Sequence, residues 1–375
     1  MRIPDANAWS TAALAGAARV LAWVPGGNRA DPPRNIVVVR LGNLGDIVVT
    51  LPVFHGLRRR FPEANMTLLT SPTRRGAPGA EEVLEQDDTF DDMIVYYEDE
   101  SVDPAFLRRL RRAVLAREAD LGLIIPGDRS RFANLAKHFA LLSSCGVRRI
   151  AGMRLIAPKD RQVNQVPFLM EQVAELGVAE IEPFPWIHIT DDERDYARVQ
   201  TGNTGAVSAL RPVAGIQVGA KRQTNRWPAE RFVDVGRALA AEYGARVVLT
   251  GSPPEREAAE DVRAAIAGDA INLAGETNVV QLAAVAEQCD VFVSNDTGTM
   301  HVAAAMGTPV VAVFSARDYP LRWHPYGEQH TVLRTEIECG PCFAEVCPYY
   351  DLPKCLDAIS VEQVLEAVRA KLQSD

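Results

Sequence analysis

In the stretch SNDTGTMHVAAAMGTPVVAVF, residues 294–314, a β-branched run ends at Asn295–Asp296 and a turn follows at Thr297–Gly298. Small residues then carry a helix to Met306, and a second β-branched run starts at Thr308. A strand, a short helix and another strand in this order return the chain parallel to itself. The N–H groups left free at such a helix start, with the helix dipole, favour an anion such as a diphosphate. Thr297 offers a hydroxyl, Gly298 admits a ligand close to the backbone, and Asp296 can hold a ribose hydroxyl. His301 lies one turn in, where a positive imidazole would ease the departure of a diphosphate. The structural alternatives are Asp296 as a plain N-cap and His301 as a satisfied core residue.

The same rhythm extends outward through the chain. PVAGIQVGA, ARVVLTGSP, DAINLAG and DVFVSND read as strands between the helical patterns PAERFVDVGRALAAEYG, PEREAAEDVRAAIAG and NVVQLAAVAEQC. In the first half NIVVVRLG, NMTLLTSP, DDMIVYYE and ADLGLIIPG are strand-like, and IVVTLPVFHGLRRRFP reads as one helix. Strands this rich in Val, Ile and Leu belong to parallel sheets covered on both faces. At 375 residues the chain suits two domains, so the expected fold is α/β, with two doubly wound parallel-sheet domains facing a cleft. The expected boundaries are a helical extension over 1–30, a first domain over 31–190, a linker over 191–211 and a second domain over 212–375. The second domain ends in an amphipathic helix, SVEQVLEAVRAKL, with Ser360 as its N-cap.

The net charge is −9. The first 190 residues balance to zero, so the deficit falls beyond them, which argues against a nucleic-acid binder. Two basic clusters stand out, Arg58–Arg60 and RRLRRAVLAR at 108–117. They are either solvated helix faces or an attraction for an anionic acceptor or phospholipid surface. No run of 18 apolar residues is present, and the N-terminal AWSTAALAGAARVLAWVPGG, interrupted by Arg19, reads as a packed or interfacial helix rather than a secretory signal. A cytoplasmic protein, at most peripheral on a membrane, is expected.

A second stretch carries chemistry. RLGNLGDIVVTLP, residues 40–52, leaves a strand through Gly42, Asn43 and Gly45 and then presents Asp46. A Gly-rich turn after a strand commonly wraps phosphate, but an aspartate there repels it, so another group is bound or deprotonated at this loop.

These stretches together, with GAKRQTNRWPAERF, LTGSPPERE and WHPYG at 323–327, resemble glycosyltransferase family 9, the ADP-heptose:lipopolysaccharide heptosyltransferases, over about residues 35–335. The resemblance implies the GT-B architecture of two Rossmann-like domains, with an acceptor side in the first and a nucleotide-sugar site in the second. It implies inverting transfer of a heptose from ADP-heptose, with no catalytic metal, to an anionic glycolipid such as lipopolysaccharide core at the inner membrane. It assigns Asp46 as general base, Gly42, Asn43 and Gly45 to the acceptor-side loop, and Asp296, Thr297, Gly298 and His301 to the donor. Glu255 would face the ribose, or else serve as a helix-start carboxylate, and Gly275 would admit the nucleotide or be a plain turn. The family's lysine two positions before Trp-Pro is Asn225 here, so Lys221, Arg222 or Arg226 would have to supply the charge. Alternatives are a protein-modifying heptosyltransferase of this family or a degenerate scaffold; no G-x-G-x-x-G supports an oxidoreductase.

Four cysteines, Cys339, Cys342, Cys347 and Cys355, cluster in CGPCFAEVCPYYDLPKC. They are either a four-thiolate structural site for zinc or iron or free thiols. Cys145 and Cys289 fall in apolar helical surroundings and are expected in the core.

Overall fold

The computed structural model describes residues 32–72, 74–97, 99–100, 103–127, 132–153, 162–203 and 211–373. The expected N-terminal extension lies outside the described residues. The chain divides into two compact units that meet in sequence at Glu182 and Pro183.

The first unit runs β1 (Asn35–Arg40), α1 (Leu44–Val48), α2 (Leu51–Arg60), β2 (Asn65–Thr70), α3 (Ala80–Val83), β3 (Asp92–Val95), α4 (Pro104–Leu115), β4 (Leu121–Ile125), α5 (Phe132–Ser144), β5 (Arg149–Gly152) and α6 (Gln165–Met170). Its strands order β3-β2-β1-β4-β5, all parallel. The central β1 pairs on both sides, Val37 standing against Thr67 and Gly122, and its Ile36–Val39 core is wholly buried. That two-sided burial is why NIVVV shows no alternation.

The second unit runs α7 (Asp191–Thr201), β6 (Val213–Gln217), α8 (Ala229–Tyr243), β7 (Arg246–Thr250), α9 (Arg256–Ile266), β8 (Ala270–Asn272), α10 (Val279–Glu287), β9 (Val291–Asn295), α11 (Gly298–Ala305), β10 (Val310–Phe314), β11 (Thr331–Arg334), α12 (Lys354–Asp357) and α13 (Val361–Leu372). Its order is β11-β10-β9-β6-β7-β8, again all parallel. Residues of α8, α9 and α13 join β6, β7, β9 and β10 in one apolar core around Trp227. Ser360 caps α13 as expected, its Oγ accepting from Gln363 N–H at 3.2 Å.

Three expectations change. The helix expected across IVVTLPVFHGLRRRFP breaks at Val49–Thr50 into α1 and α2, because Pro52 fits the first turn of a helix but not its interior. Of the stretch 191–211 expected as linker, Asp191–Thr201 form α7, packed on α10, while 204–210 lie outside the described residues. The edge strands β5 and β11 are short and only partly apolar, which left them unread.

Candidate functional site

The carboxyl ends of β6 and β9 flank the point where the second sheet reverses its strand order, the place where open parallel sheets bind ligands. Asn295 closes β9 and ties three segments together. Its Nδ2 donates to the Val218 carbonyl at 2.7 Å and its Oδ1 accepts from Trp227 N–H at 3.0 Å. Asp296 follows. Its Oδ2 accepts from Asn225 Nδ2 at 2.9 Å, its carbonyl accepts from the same nitrogen at 3.1 Å, and Ser315 Oγ donates to Asn225 Oδ1 at 2.9 Å. Burial pushes the Asp296 carboxyl up to about 6, and the Asp318 charge pushes the same way. Arg317, Arg222 and the Asn225 hydrogen bond oppose this without cancelling it.

Thr297, not Asp296, caps α11, its Oγ1 facing Met300 N–H at 3.4 Å. Asp296 is thereby released from the capping role that sequence left open. His301 is 5% exposed, lies edge-on to Trp323 with ring centroids 6.0 Å apart, and makes no hydrogen bond to any described residue. Burial first, then the charge of His330, lowers its pKa to about 3. Burial thus favours the neutral ring, which can offer an N–H; the expected positive imidazole concerned the site with a diphosphate beside it.

The other expected donor residues gather at the ends of β6, β7 and β8. Glu255 Oε2 accepts from Ser252 N–H at 2.7 Å and Ser252 Oγ at 2.6 Å, so it does serve as a helix-start carboxylate. Gln217 Nε2 reaches the same oxygen at 3.4 Å. A Cβ on Gly219 would lie 1.8 Å from Glu255 Oε1, and one on Gly275, at φ +74°, would lie 2.8 Å from Pro253 Cα. Lys221 is exposed and Arg226 donates from Nε to the Ala220 carbonyl at 2.8 Å. Of the three cations on this loop Arg222 is the one whose charge acts on Asp296. Its Nε is buried without an acceptor, the nearest carboxylate being Glu345 at 3.9 Å.

In the first unit Asp46 is the third residue of α1. Its Oδ2 accepts from Asn43 N–H at 3.1 Å, and its carbonyl accepts from Thr50 Oγ1 at 2.6 Å and the buried Arg40 Nη2 at 2.9 Å. Arg40 Nη1 also donates to the Pro126 carbonyl at 3.0 Å, fastening the ends of β1 and β4. Gly42, at φ +149°, is what admits this turn, since a Cβ there would fall 2.3 Å from Asp46 Cβ. Gly45 lies within α1 and Asn43 at its start.

A family model for glycosyltransferase family 9 (heptosyltransferase) matches residues 108–352, well over half of the chain. The chain belongs to glycosyltransferase family 9. Lipopolysaccharide heptosyltransferase 2 of Escherichia coli K12 is 35% identical over 136 residues, which are 35% of this chain and 38% of that protein. The alignment thus spans about two fifths of that curated relative. The glycosyltransferase family 9 structure from Veillonella parvula superposes with a TM-score of 0.73 at 23% identity, covering 93% of this chain and all of that one. The E. coli ADP-heptose lipopolysaccharide heptosyltransferase II structure gives 0.64 at 22%, covering 90% and 98%. Both likenesses agree with the two parallel-sheet units expected of a GT-B fold.

Against the family 9 pattern, Asn225 is no stand-in for a phosphate-binding lysine, because its amide is consumed by Asp296 and Ser315. Among the described residues the four cysteines form no preassembled four-thiolate cluster. Cys339, Cys342, Cys347 and Cys355 line one pocket, yet no three of these sulfurs lie within 4.8 Å of one another. Tetrahedral thiolate coordination would bring sulfurs to about 3.8 Å. Cys355 is buried at α12 while the other three ride on the preceding loop, and none of the four is in a disulfide. That loop braces residues that follow β6 and β10. Thr224 Oγ1 donates to the Ala344 carbonyl at 2.8 Å, Gln223 Nε2 to the Asp351 carbonyl at 2.6 Å, and Arg317 Nε to the Ala344 carbonyl at 3.1 Å. Cys145 and Cys289 are buried core residues as expected.

Two groups escaped the sequence reading. Ser315, Arg317 and Asp318 follow β10 beside Asp296; their position after a strand next to β9 was the available signal. The other is His55 on α2, whose Nε2 meets Asp87 Oδ2 at 2.8 Å and whose Nδ1 meets Glu182, itself paired with Arg59. Burial alone would depress this histidine, but the two carboxylates outweigh it and raise it to about 9, while Asp87 falls to about 2. Nothing in the local sequence pairs residues this far apart.

Proposed function

We propose that the protein transfers a heptose from ADP-heptose, with inversion and without a catalytic metal, to the core of a lipopolysaccharide-type glycolipid. The observation that carries the reading is the turn from Asp296 to His301. It joins a helix start, a carboxylate released from capping and an almost fully buried imidazole with no hydrogen bond to any described residue, in a chain belonging to glycosyltransferase family 9. The imidazole nitrogens, engaged by no described residue, are open to hydrogen-bond a diphosphate oxygen at the helix start. Gly298 N–H, Thr297 Oγ1 and the neutral His301 N–H would meet the leaving diphosphate. Lys221 and Arg226 would add charge from the neighbouring loop, and Glu255 with Gly275 would border the nucleoside. Asp46 would take the proton of the acceptor hydroxyl as that oxygen attacks the anomeric carbon opposite the leaving group. An ordinary carboxylate is a weak base for an alcohol, so this proton would move late, in concert with attack. Gly42, Asn43 and Gly45 shape the loop that presents Asp46. Among the described residues no helix is long and apolar enough to cross a membrane.

The test is a thermal-shift panel with ADP, UDP, GDP and NAD on the wild type and Asp296→Ala. Ligand at about 100 times its Kd contributes about 2.7 kcal/mol, a rise of several degrees for a domain this size. A shift with ADP alone, lost in Asp296→Ala, supports the donor site. A preference for UDP or GDP rejects ADP-heptose, and silence from all four rejects donor binding here.

A further inference from the structure

The helix α4 has two unlike faces. Asp103 caps it, accepting from Ala105 N–H at 2.8 Å and Phe106 N–H at 3.2 Å, and Phe106, Leu110 and Val114 bury its inner stripe in the core of the first unit. At 100° per residue, Leu107, Arg108, Arg111, Arg112 and Leu115 all fall within an outward arc of about 140°, along a helix of about 18 Å. Leu107 and Leu115 are 38% and 44% exposed, and the three arginines are exposed between them.

The charges on this face are unbalanced. Arg108 and Arg112 make no hydrogen bond or ion pair with any described residue. Arg111 spends its donors on neutral groups, the Ser144 carbonyl at 2.7 Å and Ser144 Oγ at 3.3 Å. Arg109, at the rim, lies over the Phe106 ring at 5.7 Å. None of the four meets a carboxylate among the described residues, whereas Arg58, Arg75, Arg117, Arg256 and Arg369 each do. A chain of net charge −9 repels anions at long range, so attraction here must act within a Debye length of the surface, about 8–10 Å. Two leucines flanking the arginines add what a phosphate backbone would not use and a bilayer would: apolar side chains that enter the headgroup region while guanidinium groups stay with the phosphates.

We infer that the outer face of α4 docks the protein onto an anionic lipid bilayer, the helix lying in the plane of the headgroups. The inference rests on α4 alone and is independent of the donor site. It is tested by co-sedimenting the full chain with phosphatidylcholine vesicles, with and without phosphatidylglycerol. The wild type should pellet with the anionic vesicles only, and less as salt rises. Each arginine is worth roughly a fivefold change in partitioning, so Arg108→Gln/Arg111→Gln/Arg112→Gln together should weaken it on the order of 100-fold at unchanged Tm. The same three positions changed to lysine should keep most of it, and Leu107→Ser/Leu115→Ser should cost roughly tenfold. Arg263→Gln, at an ion-paired position on α9, should change nothing. Equal pelleting with uncharged vesicles, or wild-type partitioning by the triple glutamine variant, overturns the inference. So does heparin binding as strong as vesicle binding and indifferent to the leucine changes, which would assign the face to a soluble polyanion.

Discussion

Replacing Asp46 with asparagine keeps an oxygen for Asn43 N–H to use and leaves the carbonyl bonds to Arg40 and Thr50 intact, so the variant removes basicity and, besides it, a 3.9 Å ion pair with Arg40. If Asp46 is the base, kcat should fall by about 10²–10⁴-fold while affinity for ADP stays within about twofold. Steady-state kinetics with an ADP titration separates the two, and a wild-type kcat would reassign the base. His55 makes a different prediction. Its pKa is about 9 in the fold against 6.5 for a free side chain, so its ion pairs contribute fully below pH 6.5 and are lost as pH rises towards 9. The loss could reach about 3 kcal/mol, and His55→Gln should flatten that part of the stability–pH curve in denaturant titrations. Asp87, held near 2, contributes above its usual range and gives way only as pH falls through about 2. The turn that presents Asp46 was legible because glycines and an aspartate after a buried strand form a local pattern. His55 was not, because its partners at 87 and 182 are brought to it only by the fold.

At the level of single elements, the loop from β1 to α1 depends on one backbone conformation. Gly42→Ala would force a Cβ into Asp46 at a φ that L residues rarely adopt. We expect a loss of about 1–3 kcal/mol of stability in the first unit and a drop in transfer. ADP affinity should be unchanged, as read by urea denaturation and by ligand titration. The α11 turn was equally visible as a strand, a Thr-Gly pair and small residues, but its cap was not. Asp and Thr are both good N-caps, and only the pull of Asn225 on Asp296 decides that Thr297 takes the role. Helix α1 was merged with α2 because hydrophobic periodicity runs through Pro52, where backbone sterics do not.

For the molecule as a whole, each unit has its own parallel sheet and apolar core. Calorimetry should resolve two transitions, and ADP should raise only the one belonging to the unit that holds Asp296. A single transition, or one that ADP raises in both units, would place the nucleotide differently. The parallel sheets were readable from alternation over the whole chain, since strands buried on both faces are long apolar words. The division at Glu182–Pro183 was not. A linker was expected over 191–211, yet Asp191–Thr201 form α7 and the units meet earlier in the chain.

The segment bearing the four cysteines holds Thr224, Gln223 and Arg317 through its own carbonyl oxygens, at Ala344 and Asp351. A carbonyl is the same on every residue, so what the neighbouring site requires of this segment is its route and not its lettering. Most of its side chains are thus replaceable one at a time, while anything that reroutes it, such as a bulky adduct on Cys342 or Cys347, should register first as weakened nucleotide binding and only later as loss of fold.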